Sequence, residues 1–236
     1  MKKYLSEMAK KIDIDITDKQ LEQFQIFFDY LIEVNQVMNL TAITEMKEVV
    51  LKHFIDSITV IKYYDFDDIK NVIDMGTGAG FPGIPLAIML PNVQFTLMDS
   101  LNKRINFLNQ VIEKCDLKNV VCIHSRAEDL GKDEIHREKY DVCVSRAVAN
   151  LSILLEYCIP FVKVGGRFIS YKSILAEDEL MKSESAQKEL GCFLKQNITF
   201  EIPDTDYQRC FLVFEKNKVL KKKYPRQSGM PKKCPL

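Results

Sequence analysis

The stretch "VIDMGTGAGFPG", residues 72–83, sets Gly76, Gly78, Gly80 and Gly83 directly after a short apolar run and ahead of a helical pattern. Such a turn between strand and helix lets a backbone close in on a nucleotide. Gly78, Gly80 and Gly83 spell G-x-G-x-x-G, the dinucleotide pattern, whereas Gly76, Gly78 and Gly80 spell G-x-G-x-G. The prolines help to separate these readings. A pyrophosphate is held by free N–H groups at a helix N-terminus, and Pro82 and Pro85 supply none there. Asp74, two residues before Gly76, would also repel a pyrophosphate. These residues favour a ligand with an adenosine and no phosphate, S-adenosylmethionine, with Asp74 facing its ammonium group directly or through water.

Further polar residues recur just past later apolar runs. Asp99 ends the second run, 23 residues after Gly76, where a carboxylate accepts from both ribose hydroxyls. Glu128 follows the third, where an adenine edge would lie. Arg126 and Lys172 fall at comparable places, where they either contact phosphates around a flipped-out base or are solvated.

The elements that must hold these residues follow from periodicity. Thr17 and Gln20 form a capping box, and Leu21, Phe24, Phe28 and Leu31 recur on one helical face. Thr44 is expected to cap a second helix reaching about Tyr64. His53 and Asp56 share a face of it, with a core, capping or RNA-contacting role all open. From Asn71 short strands alternate with helices: "NVIDM", "VQFTLMD", "NVVCIH", "YDVCVSRA" and "GGRFISYK". A long polar helix to about Leu190 and two final strands, "CFLKQNITFEI" and "RCFLVFEK", follow. The expected fold is a doubly wound, Rossmann-like α/β sheet of seven strands behind an N-terminal helical extension. Residues 1–66, 67–216 and 217–236 are expected to be the extension, the cofactor-binding core and a basic tail.

Composition limits the function classes. Hydrophobic residues make up 47% of the 236, enough for a proper core. No apolar stretch is long enough to span a bilayer, and the N-terminus lacks a signal peptide's apolar centre. A cytoplasmic protein, without membrane partners and monomeric, is expected. The seven cysteines contain no C-x-x-C pair, and no metal site is expected. Lys and Arg together equal Asp and Glu at 33 each, yet eight of the bases and none of the acids lie beyond Glu215. Lys221, Lys222, Lys223 and Arg226 in that tail are candidates for binding RNA as a flexible phosphate anchor that leaves cofactor affinity untouched.

The chain resembles the ribosomal RNA small subunit methyltransferase G (glucose-inhibited division protein B) family over nearly its whole length. The likeness is carried by "VNQVMNLTAI", "HFIDSI", "DMGTGAGFPGIPLAI", "LMDSLNKRINFL", "SRAEDL", "YDVCVSRAVANLSILLEY", "GGRFISYK" and "KYPRQSGMPKK". It implies a class I methyltransferase sheet. The implied activity is methylation of N7 of one guanine near the decoding site of 16S ribosomal RNA, from S-adenosylmethionine, with free rRNA or the small ribosomal subunit as partner. The implied cofactor contacts are Gly76, Phe81, Asp99, Ser100, Ala127, Glu128 and Arg146, beside the loop glycine Gly78.

Guanine N7 carries a lone pair and no proton, so its methylation needs alignment and electrostatics rather than a general base. No residue is therefore expected to act as an acid or base. Arg146 and Lys172 are the positioning candidates, with Arg146 orienting either the cofactor carboxylate or the guanine, or else pairing with Asp141. The stretch "SRAV" stands where amino-methyltransferases often carry N/D-P-P-Y. Two rival readings are an NAD(P)-dependent oxidoreductase, which lacks a hydride-transfer pair here, and a non-catalytic RNA-binding protein of the same fold.

Overall fold

In the computed structural model, residues 1–146, 149–173 and 177–236 are described. The apolar runs form seven strands: β1 (Asn71–Met75), β2 (Gln94–Asp99), β3 (Val120–His124), β4 (Tyr140–Arg146), β5 (Val162–Ser173), β6 (Cys192–Glu201) and β7 (Gln208–Lys216). They make one sheet in the order β3-β2-β1-β4-β5-β7-β6. Strands β1 to β5 pair in parallel, and β7 runs antiparallel between β5 and β6. Strand order reverses between β1 and β4, which opens a crevice beyond their carboxyl ends. The seven-stranded sheet and the helical N-terminal part agree with the sequence reading.

The helices before the sheet are α1 (Lys2–Lys10), α2 (Asp18–Met38), α3 (Met46–Val49), α4 (Asp56–Ile58) and α5 (Val60–Tyr63). The capping box of α2 forms as expected, Gln20 N donating to Thr17 Oγ1 at 3.3 Å and Thr17 N to Gln20 Oε1 at 2.9 Å. Phe24, Phe27 and Leu31 are its buried face, with Phe27 buried more deeply than Phe28. The cap of α3 is Glu45 rather than Thr44, its Oε2 accepting from Glu48 N at 2.9 Å. A π-helical turn, Val50–Ile55, joins α3 to α4. Such turns shift the direction of the side chains that follow and are common at functional sites; this one carries Lys52 and His53 and ends at Asp56.

The later helices are α6 (Gly83–Met89), α7 (Asn102–Lys114), α8 (Ala127–Leu130), α9 (Leu151–Cys158), α10 (Glu177–Lys182), α11 (Glu184–Leu190) and α12 (Met230–Lys233). The long helix expected before Leu190 is two helices, divided at the buried Ser183, whose hydroxyl donates to Leu180 O at 2.7 Å. Part of that segment, and Ala147 and Val148 of "SRAV", lie outside the described residues.

Alternation along the strands divides the core between the two sheet faces. Val72, Phe95, Val142 and Ile169 pack with Phe24, Phe27, Phe54 and Leu108 on one face. Ile73, Met75, Cys143 and Phe168 pack with Leu154, Phe161 and Tyr224 on the other. The helices of the first 66 residues thus share a core with the sheet.

The C-terminal segment departs most from expectation. It is docked rather than flexible. Glu156 of α9 is fully buried in an otherwise apolar stretch, and Arg226 answers it with its backbone N, Nε and Nη2 at 2.6–3.1 Å. Arg137 reaches the carbonyl oxygens of Leu220, Lys221 and Tyr224. Tyr224 and Pro231 are buried. Arg226 is therefore a structural counter-ion and not a free RNA contact, because a buried carboxylate left without its partner costs about 3–5 kcal/mol. Lys221 and Lys223 both approach Glu189, at 3.2 and 3.6 Å, while Lys222 is exposed and has no ion pair among the described residues.

Candidate cofactor and substrate site

Beyond the carboxyl ends of β1 to β5 lies a cavity of about 1020 Å³. The turn after β1 forms its floor. Gly76 N and Thr77 N both donate to Met98 O at 3.0 Å, which ties the turn to β2. Gly76, Gly78 and Gly80 all have positive φ, the left-handed conformation that glycine adopts without a Cβ penalty. At Gly78 a Cβ would meet no atom within 4 Å, so the backbone there faces open space in the cavity. Gly83 has a different purpose. A Cβ on it would fall inside contact distance of Leu97 Cδ2 and 2.7 Å from Asp74 Oδ2, so its absence lets α6 sit against the sheet.

Asp74 is not in the cavity. It lies on the same face of β1 as Val72, fully buried, with Oδ2 accepting from Gly83 N at 2.9 Å. It anchors the start of α6 from below and cannot face a cofactor ammonium directly. Burial pushes its carboxyl up to about 7.

Asp99 does reach the cavity from the end of β2. Its Oδ2 accepts from Gly78 N at 3.0 Å and from Arg104 Nη1 at 3.1 Å, and its Oδ1 from Leu101 N at 2.9 Å. The carboxylate thereby holds the glycine turn open from beside it. Ser100, Ala127 and Glu128 line the same lobe, with Arg126 at its rim. Tyr157 stands beside Glu128, its hydroxyl pushed up to about 12 by burial and by that carboxylate. Glu128 Oε1 also accepts from Gly229 N at 3.0 Å, and Arg126 Nη1 donates to Ser228 Oγ at 2.8 Å.

The second lobe lies between the carboxyl end of β4 and the π-helical turn. Arg146 Nη1 donates to Asp56 Oδ2 at 2.6 Å, and its guanidinium carbon lies 5.2 Å from the centre of the Phe81 ring. Asp56 is 3% exposed and also meets Arg209 Nε at 3.3 Å. The acid that pairs with Arg146 is thus Asp56 and not Asp141, which caps the backbone N–H groups of Lys70 and Asn71 instead. His53 stacks on Phe81 with ring centres 4.5 Å apart, and its Nε2 lies 2.9 Å from Thr41 Oγ1. Burial and the Arg146 charge lower its pKa to about 3, so the ring is neutral near pH 7. Lys172 Nζ lies 2.6 Å from Glu179 Oε2 and 3.0 Å from Ala149 O.

The cavity brings together Gly76, Gly78, Phe81, Asp99, Ser100, Arg126, Ala127, Glu128, Arg146 and Lys172. Lys221, Lys222, Lys223 and Arg226 do not line it. Residues the sequence reading missed are Thr41, Lys52, Arg104, Arg209 and Gly229, while Lys232, read as part of the basic tail, also lines the cavity. Asn35 gave no signal for Thr41, yet its side-chain amide bonds Thr41 N and O at 2.8 and 3.0 Å and sets that turn.

The residues present fit S-adenosylmethionine: an open approach at Gly78, a carboxylate at the end of β2, and a second acidic residue past β3. Solved structures with this fold include a SAM-dependent methyltransferase from Aquifex aeolicus, with TM-score 0.53 and 19% identity, covering 70% of this chain and 91% of that one. Another is M. jannaschii TYW2 in complex with AdoMet, at TM-score 0.52 and 19% identity, covering 68% and 76%. The fold is that of the class I methyltransferases.

The family model for rRNA small subunit methyltransferase G matches residues 20–204. The protein of that name from Lachnoclostridium phytofermentans is 51% identical over 227 residues, 96% of this chain and 94% of the relative. Its counterpart from Bacillus cereus (strain ZK / E33L) is 49% identical over 229 residues, 97% and 96%. The chain belongs to the rRNA small subunit methyltransferase G family, and it is an S-adenosylmethionine-dependent methyltransferase. Among the described residues, no helix is long and apolar enough to cross a membrane.

Proposed function

We propose that this protein methylates N7 of one guanine, in a loop near the decoding site of 16S ribosomal RNA, with Gly76, Gly78, Asp99, Ser100, Ala127 and Glu128 holding the cofactor. When bound, S-adenosylmethionine supplies a methyl group on a positively charged sulfur. The observation that carries the reading is the single cavity that brings a glycine turn and strand-end carboxylates together with the paired cations Arg146, Arg209 and Lys172.

The second lobe is built to donate hydrogen bonds. Arg146 Nε has no acceptor among the described residues, and a guanine presents O6 and N7 as acceptors on one edge. A donor placed on O6 orients the ring and leaves the N7 lone pair free. No proton has to leave, so the neutral His53 need not act as a base. A methylated guanine carries a positive charge. Asp56 and Glu179 offset the charges of Arg146, Arg209 and Lys172, so that charge does not face unbalanced cations. Phe81 supports both the His53 ring, 4.5 Å away, and the guanidinium, 5.2 Å away, and so gives the cations an apolar backing.

An oxidoreductase would hold a dinucleotide in the first lobe instead. S-Adenosylhomocysteine at a hundredfold excess over its Kd is expected to raise the melting temperature by about 5–10 °C, with NADH giving no shift. The reverse order of the two ligands would overturn the cofactor assignment.

A further inference from the structure

The basic C-terminal segment is anchored by residues that do not themselves line the cavity, yet one edge of it reaches the cavity. Arg226 is fixed on the buried Glu156, and Tyr224 is buried with its hydroxyl 3.1 Å from Glu189 Oε2. Beyond these anchors the chain turns at Gly229, with φ +84°, and that turn aims Gly229 N at Glu128 Oε1. Ser228 Oγ takes the guanidinium of Arg126. Gly229 and Lys232 line the cavity directly, beside Ala127 and Glu128.

We propose that residues 228–232 form the outer wall of the adenine end of the cofactor site, fixing Glu128 and Arg126 for the adenosine. The proposal rests on the cofactor assignment made above. Three observations support it together. Glu128 is only 6% exposed, and Gly229 N donates to it from across the chain. The segment cannot swing freely, because Arg226 gives three donors to the fully buried Glu156 carboxylate. Tyr157 of α9 also lines the cavity and borders Glu128. A tail with eight basic residues therefore serves two purposes, with Lys222 and its neighbours toward solvent and the Ser228–Lys232 edge toward the cofactor.

The test uses the full-length chain with Gly229→Pro, which removes the donated N–H and forbids the positive φ while leaving the Arg226 anchor intact. S-Adenosylhomocysteine affinity is measured by calorimetry, and RNA affinity as a function of salt. We expect cofactor affinity to fall about tenfold or more, as for loss of a wall that orders a charged contact, with the salt slope for RNA unchanged. Cofactor affinity within twofold of the parent would overturn the proposal. If Gly229→Pro fails to fold, a chain ending at Gln227 replaces it, with the same loss expected and the same result overturning the idea. A parent chain that binds no S-adenosylhomocysteine would instead sink the cofactor assignment itself.

Discussion

Arg146→Ala is expected to slow methyl transfer by about a hundredfold or more, the typical cost of removing a preorganised donor from a reacting site. Arg146 sits where the two lobes meet, with Asp56 at 2.6 Å fixing one end of its guanidinium and Phe81 supporting its face. Loss of the side chain removes the donor aimed at the substrate and also unpairs part of Asp56. Because Asp56 keeps Arg209 at 3.3 Å, the stability penalty stays near that of one unsatisfied buried group, about 1–3 kcal/mol. Single-turnover methylation and thermal melting separate the two effects. Arg146→Lys is expected to recover stability better than rate, since an ammonium lacks the planar fork. A wild-type rate in Arg146→Ala would remove the residue from the mechanism.

The second large effect divides two glycines of one turn. Gly83→Ala puts a methyl into Leu97 and against the Asp74 carboxylate that anchors α6. Overpacking of this kind, with the anchor disturbed, is expected to cost about 3 kcal/mol and to lower the melting temperature by about 6–12 °C. Gly78→Ala meets no protein atom. It carries only the left-handed backbone penalty of about 1–2 kcal/mol, but its methyl stands in the cavity. Its expected defect is therefore chiefly in cofactor affinity, about tenfold or more, with the melting temperature lowered by about 2–8 °C. Equal cofactor affinities in Gly78→Ala and the parent would mean that the cofactor does not pass over this turn.

The sheet could be read from the sequence because each strand is a short apolar run ending in a polar residue at the ligand face. That rule pointed to Asp99, Arg126, Glu128 and Lys172, and the family resemblance added Ser100, Ala127 and Arg146. The same alternation, taken one step further, would have placed Asp74 correctly. It lies two residues after Val72 and so shares that residue's buried face.

What stayed hidden depended on contacts between distant segments. Asp56, Arg146 and Arg209 meet from three parts of the chain, and no spacing announces them. The docked tail left one clue, the single acid inside "LSILLEYC", since a carboxylate in an apolar helix needs a cation from elsewhere. Arg226 proved to be that cation. The segment's lysines, prolines and glycine read locally as a flexible arm, and only the buried partner changes that reading.

The central claim is tested most directly by transferring labelled methyl from S-adenosylmethionine to small ribosomal subunits, and to free 16S rRNA, from cells lacking this protein. Mapping uses chain cleavage at N7-methylguanine. A single labelled guanine in a loop near the decoding site is the predicted result. Label at another atom or at many sites, or none in a protein that binds S-adenosylhomocysteine, would contradict the account.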